Sequence, residues 1–230
     1  MQRARAHLES LLRARHLDGT LTTAAPWVGD DLDHRASADW PVLDGPLGGG
    51  VRRGHLSEII GARSSGRTTV FYRLAAAATA RGELVALVDT HDRFDPPSAA
   101  AAGVDLARLL WIRDTGEADR AIKAMMLVLQ AGGFGLVACD LADVPHVVLR
   151  GVPAPTWLRL ARAIEGSMTV ALLLGTDRIA RSAGGAAILL APPAAEVPGD
   201  WCGTTPRARR LAGVTVRPRI VLAHGIAAGE

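Results

Sequence analysis

Residues 61 to 69 read Gly-Ala-Arg-Ser-Ser-Gly-Arg-Thr-Thr. Two glycines five positions apart, followed by a cation and a hydroxyl, are what a bound polyphosphate requires. The glycines let backbone N–H groups close round a β-phosphate, a neighbouring cation neutralises the β- and γ-phosphates, and the hydroxyl after it ligates Mg²⁺. Gly61, Gly66 and Thr68 satisfy the spacing Gly-x-x-x-x-Gly-Lys-[Ser/Thr], but the lysine position holds Arg67. Arginine keeps the charge and replaces a compact ammonium with a longer, planar fork. Gly61, Ser64, Ser65, Gly66, Arg67, Thr68 and Thr69 are the nucleotide-binding candidates, with Thr68 as the metal-side hydroxyl.

A second acid belongs with such a loop. Asp140 closes the apolar run from Leu136 to Cys139, so it is placed at the C-terminal end of a buried strand, where it could hold Mg²⁺ through water. The plainer reading is an aspartate that ends a strand or caps a turn. Arg207, Arg209 and Arg210 form a basic cluster suited to a nucleic-acid phosphate or, equally, to a charged strand edge. Five dispersed tryptophans fit packing better than a platform for stacked bases.

These residues need elements to hold them. A strand at His55–Ile60 leads into the loop, and a helix runs from Thr68 to about Ala80. Further strands are expected at Leu84–Asp89, Leu109–Ile112, Leu136–Asp140, Val170–Leu174 and Ala186–Leu190. Helices are expected at Pro96–Ala102, at Thr115–Gln130 with Thr115 as N-cap, and at Thr156–Ile164. The strands are continuously apolar and alternate with helices, which predicts an α/β fold with a mostly parallel sheet covered on both faces. Residues 1–17 read as an Arg-rich amphipathic helix bearing Leu8, Leu11 and Leu12, and 20–45 as an extended connector. The tail, at 209–216 and 219–224, reads as a closing β-hairpin around Pro218. The division is 1–45 arm, 46–195 core and 196–230 β extension.

At 230 residues and 49% hydrophobic content the chain can bury one core, although aromatics make up only 4%. The formal charge of +3 is carried almost wholly by arginine, since Lys123 is the one lysine. Cys139 and Cys202 make no disulfide framework, and the histidines lack metal-ligand spacing. No leader and no membrane-length apolar run is legible, so a cytoplasmic protein is expected.

The segment Leu47-Gly48-Gly49-Gly50-Val51-x-x-Gly54, then Glu58-Ile59-x-Gly61 and Ser64-Ser65-Gly66-x-Thr68-Thr69, resembles the core of the RecA recombinases. Val88-Asp89, Phe94-Asp95-Pro96, Gly103-Val104-Asp105, Leu109-Leu110, Asp114-Thr115-Gly116-Glu117 and the Asp140 strand continue the match in order, over about 44–145 and more weakly to about 190. The resemblance implies a RecA-like P-loop NTPase core with ATP and Mg²⁺ as ligands, either working or vestigial. It also marks departures. The family's water-activating glutamate falls at His91, with Asp92 beside it expected to point elsewhere. The first DNA loop, Ala142–Thr156, has three prolines and little charge. The second, about Thr176–Gly185, is short; it carries Arg178 and Arg181, and Gly175-Thr176 replaces the family's Asn-Gln pair. The large C-terminal domain of RecA has no counterpart.

A shortened RecA core with altered catalytic positions and an Arg-rich N-terminal helix is similar to the ImuA family, RecA-like accessory proteins of bacterial mutagenic repair. That resemblance implies a catalytically reduced adaptor in SOS-induced translesion synthesis. Its partners would be RecA and/or ImuB, together with an error-prone replicative-type polymerase subunit. Any contact with single-stranded DNA would be weak and made through Arg178, Arg181, Arg207, Arg209 and Arg210. The rival expectations are an active DNA-dependent ATPase and a negative regulator that caps RecA filaments.

Overall fold

The computed structural model describes residues 34–180, 184–190, 199–202, 205, 210–214 and 218–222, with the backbone alone for 199–202, 210–214 and 221–222. The amphipathic helix expected at 1–17, most of the connector, and Arg181, Arg207 and Arg209 lie outside the described residues.

Eleven strands are described: β1 (Arg35–Ala36), β2 (Val51–Arg52), β3 (His55–Ile60), β4 (Leu84–Asp89), β5 (Leu109–Arg113), β6 (Phe134–Asp140), β7 (Val170–Gly175), β8 (Ala187–Leu190), β9 (Gly199–Cys202), β10 (Arg210–Val214) and β11 (Pro218–Leu222). Seven form one sheet in the order β11-β8-β3-β7-β6-β4-β5. Pairing is parallel from β8 through to β5, and β11 alone runs antiparallel, against β8. The helices are α1 (Pro41–Asp44), α2 (Arg67–Ala80), α3 (Pro96–Ala101), α4 (Ala118–Ala131), α5 (His146–Gly151) and α6 (Ala154–Ile164).

The strand residues alternate between two cores, as a pleated sheet dictates. Val85 and Leu87, Leu136 and Ala138, and Val170, Leu172 and Leu174 face α2. Ala86 and Val88, Val137 and Cys139, and Ala171 and Leu173 face α4, α5 and α6. Both faces are therefore dry, which accounts for the unbroken apolar runs. The expected α/β fold with its mostly parallel, helix-covered sheet is the one observed.

Four expectations need correction. Residues 34–45 are folded onto the core rather than extended: the Asp44 carboxylate accepts the N–H groups of Ala38 (2.9 Å) and Trp40 (3.0 Å) and the Ser37 hydroxyl (2.9 Å), while Ala36, Ala38 and Leu43 are buried. The tail strands do not pair with each other. β10 pairs with β9, and β11 adds to the main sheet beside β8. Pro218 opens β11 at the sheet edge, where a missing N–H costs no ladder bond. The Ala142–Thr156 segment is largely helical. Pro145 and Pro153 are the N-caps of α5 and α6, and Pro155 lies in the first turn of α6, positions where a fixed φ favours the helix. The N-cap of α4 is Glu117 and not Thr115.

The turn after β4 is built on Asp89. Its buried carboxylate accepts N–H groups from Arg93 (2.9 Å) and Phe94 (2.8 Å) and the indole N–H of Trp111 (3.1 Å). Those bonds fold residues 90–94 back over the sheet end, and Asp95 then caps α3 through the Ser98 N–H at 3.1 Å. Asp89→Ala strands three donors, two of them backbone, and should cost roughly 2–4 kcal/mol. Urea denaturation of the two proteins measures it.

Candidate functional site

The phosphate loop connects β3 to α2 at the C-terminal edge of the sheet, the edge where open α/β sheets bind ligands. Gly66 sits at the N-cap of α2 with φ 94°, a left-handed conformation that glycine adopts without steric cost, and no side chain caps the helix. The first N–H groups of α2 are thus left for an anion. Gly61 is required by close approach: a Cβ there would lie 2.2 Å from Ser65 Oγ. Ser64 takes φ 62°, and the Ser65 hydroxyl is buried without a hydrogen-bond partner. The loop is a cradle of backbone donors, as the spacing predicts.

Arg67 does not project from it. One guanidinium nitrogen, Nη1, donates to the carbonyl of Gly61 and, at 3.3 Å, to that of Gly175 at the end of β7. The cation at the lysine position of the pattern is held on the protein's own carbonyls. Thr68 and Thr69 are exposed, and both line a pocket of about 650 Å³ beside the loop. Tyr72, Arg73, Arg93, Asp95 and Ser98 complete most of its wall. Tyr72 is buried, and its hydroxyl donates to the Asp95 carbonyl at 3.4 Å.

Asp140 pairs with Asp89 across the β6–β4 ladder. Desolvation pushes its carboxyl above the usual range. The charges of Asp89 and Asp143 add to that, and the Ala142 N–H (3.0 Å) and the Arg67 charge oppose it. The metal candidates thus sit on adjoining elements: Thr68 on α2 and Asp140 at the end of β6. Among the described residues no group of three or more His, Cys, Asp or Glu side chains could hold a metal ion.

His91 is half-buried on the turn after β4, with its ring against Gly116. Asp92 has φ 55° and makes a two-bond ion pair with Arg113, at 2.8 and 2.6 Å. That hydrogen bonding holds its carboxyl below the usual range. The same guanidinium stacks over Trp111, 4.7 Å from the ring centre. Asp92 is therefore committed to Arg113. Trp111 and Trp157 are packing residues, the latter on the buried face of α6.

The sequence reading gave no role to Glu58. It is buried on β3, and its carboxylate accepts the N–H groups of Ile179 (2.7 Å) and Ala180 (2.9 Å). It pins the segment after β7 to the strand that feeds the phosphate loop. A carboxylate between Leu56 and Ile59, in the strand that leads into the phosphate loop, was the available signal. Arg178 is exposed on that segment. The backbone of Arg210 lies in the separate β9–β10 pair, so the structure does not bring it into the sheet that carries the loop.

A glycine-rich loop between a central parallel strand and a helix N-terminus defines the P-loop class of nucleotide-binding folds. Within it the chain belongs to the RecA family: residues 34–152 match the RecA N-terminal domain. It is 35% identical to Protein RecA of Symbiobacterium thermophilum over 145 residues, 61% of this chain and 40% of that protein. It is 39% identical to Protein RecA of Mycobacterium ulcerans over 114 residues, 48% of this chain and 32% of the other. The matched stretch thus spans about a third to two fifths of these curated relatives. No described helix is long and apolar enough to cross a membrane.

The raised Asp140 carboxyl has a consequence for stability. A carboxyl that binds its proton more tightly when folded contributes stability below its ordinary value, near 3.8, and loses it as pH rises through the folded value. Asp140→Asn keeps an acceptor for Ala142 and removes the desolvated charge. It should therefore melt higher than the wild type at pH 7, with the gap narrowing toward pH 4. Thermal unfolding across that range tests the sign.

Proposed function

We propose that this chain is a RecA-family accessory protein of the ImuA kind. In this reading it is an adaptor for damage-induced translesion synthesis that engages RecA and/or an ImuB-type polymerase relative, and its nucleotide site serves binding rather than turnover. The observation that supports it is the state of two catalytic positions in one site. The phosphate-clamp position is an arginine bonded to the Gly61 and Gly175 carbonyls, and the water-activating position is His91. The neighbouring acid does not substitute for the lost glutamate, because Asp92 is bound to Arg113.

The remaining residues fit a nucleotide's phosphates. The cradle closes tightly enough to exclude a Cβ at Gly61, Ser65 Oγ is an unpartnered buried hydroxyl, and Thr68 and Asp140 stand at the metal side. ATP with Mg²⁺ would bring an activated phosphoryl group. Gly61–Gly66 would hold its phosphates, Thr68 the metal and, through water, Asp140 the metal's far side. Arg63 lies on the loop, and Arg73 and Arg93 line the pocket beside it, Arg93 being paired with Asp143 at 3.5 Å.

The retained charge at Arg67 and the retained acid at Asp140 favour a second reading, a DNA-dependent ATPase adapted to arginine. Steady-state hydrolysis with and without single-stranded DNA separates the two. The adaptor reading expects turnover at least about a hundredfold below 1 s⁻¹, the lower end of ordinary enzyme rates. It also expects that Arg67→Lys alone restores nothing, because the water-activating carboxylate is still absent. Hydrolysis near 1 s⁻¹ by the wild type, or recovery on that single change, would refute it. Co-purification of the full chain with RecA or an ImuB-type protein tests the partner.

A further inference from the structure

The pocket of about 650 Å³ beside the phosphate loop is a groove between two helices. Thr68, Thr69, Tyr72 and Arg73 recur at the spacing of one helix face and form its α2 wall. Ser98, Ala101 and Ala102 do the same for α3, and their small side chains leave the groove open. Arg93 and Asp95 come from the turn that leads into α3.

Donors exceed acceptors in this lining. Arg73 is exposed and makes no hydrogen bond or ion pair among the described residues. Arg93 makes a long ion pair, Nε to Asp143 Oδ2 at 3.5 Å, with its side chain 67% exposed. Thr68, Thr69 and Ser98 add hydroxyls. Asp95 is the one acid of the groove, and its carboxylate accepts the Ser98 N–H at 3.1 Å while its carbonyl takes the Tyr72 hydroxyl. Two guanidiniums against one engaged carboxylate leave an excess of positive charge.

The base and sugar of an ordinary nucleotide are neutral and give those guanidiniums no anion to bind. A guanidinium fork matches phosphate. The groove starts at Thr68 and Thr69, in the helix turn whose N–H groups are left for the 5′ phosphates. Arg73 follows Thr69 by four residues, about 6 Å farther along α2. Two anion positions therefore lie in series, the cradle and then the arginines. A nucleotide phosphorylated on its sugar carries two anions in the same order, the 5′ chain and a second group across the ribose.

We propose that the groove between α2 and α3 selects nucleotides that carry a phosphate on a ribose hydroxyl, with Arg73 and Arg93 as the specificity-determining residues. The inference rests on the nucleotide-binding reading above, since the cradle must hold the 5′ phosphates.

Isothermal titration calorimetry on the full chain with Mg²⁺ tests it, with three probes: ADP, adenosine 3′-phosphate 5′-diphosphate and the 2′-phosphate isomer. One of the two sugar-phosphorylated probes should bind roughly tenfold or more tightly than ADP, the size of one charge-assisted hydrogen bond, and which one does so identifies the hydroxyl. Arg73→Gln and Arg93→Gln each change an exposed side chain and should each remove most of that preference. Both should leave the affinity for ADP within about threefold, because only screened charge is then lost. Arg159→Gln, at an exposed arginine on α6, should leave the preference intact. Equal affinity for all three probes in the wild type overturns the inference and leaves the nucleotide-binding reading standing. A preference that survives both groove substitutions overturns the assignment to Arg73 and Arg93. Binding of none of the three overturns the inference together with the nucleotide-binding reading.

Discussion

The parallel pairing of β3 with β7 sets Ile60 opposite Gly175 and brings the Gly61 N–H within 3.1 Å of the Gly175 carbonyl. The cradle is suspended from this junction. Its strands are apolar on both faces, so their register is fixed twice. A slip of one residue would carry Leu172 and Leu174 to the helix layer of α4 and α6, and Leu173 to that of α2. The cost of such a slip is what keeps Gly61, Gly66 and Gly175 in place without any ligand. The loop itself contributes little packing. Its shape is imposed by the strand before it and the helix after it.

The same ladder creates an electrostatic problem at the sheet end. β4 and β6 finish on register partners, the buried Asp89 and the half-buried Asp140. The two are handled differently. Asp89 is surrounded by donors and becomes a structural anchor for the turn that carries His91. Asp140 has the Ala142 N–H and the distant charge of Arg67, which do not offset its desolvation, and its carboxyl is raised. A cation arriving at that end, whether a metal with phosphates or a repositioned arginine, stabilises the charged form. A cation bound there would therefore lower proton occupancy at Asp140.

What was legible in the sequence follows from how local each signal is. Leu84–Asp89 was readable to the residue because it is a short, continuous apolar run ended by an acid, and His55–Ile60 because it leads directly into the first glycine of the phosphate loop. The loop was readable because its constraints lie within nine residues. α5 was not, since it lies in the proline-containing stretch Ala142–Thr156 expected as a loop, whereas Pro145 and Pro153 are helix N-caps. The tail strands were visible as strands, but pairing depends on partners that alternation does not name, and β11 sits on β8. The direction of Arg67 was beyond reach for the same reason: its second acceptor is a main-chain carbonyl on another strand.

That direction changes the meaning of the arginine. A lysine at this position offers three donors on one compact, strongly hydrated centre, and its use is as a point charge on phosphate. A guanidinium is more weakly hydrated and has five donors in a plane, so it can rest on backbone carbonyls at small desolvation cost. Position 67 therefore has acceptors within the protein itself, the Gly61 and Gly175 carbonyls, and the arginine ties the phosphate loop to the end of β7.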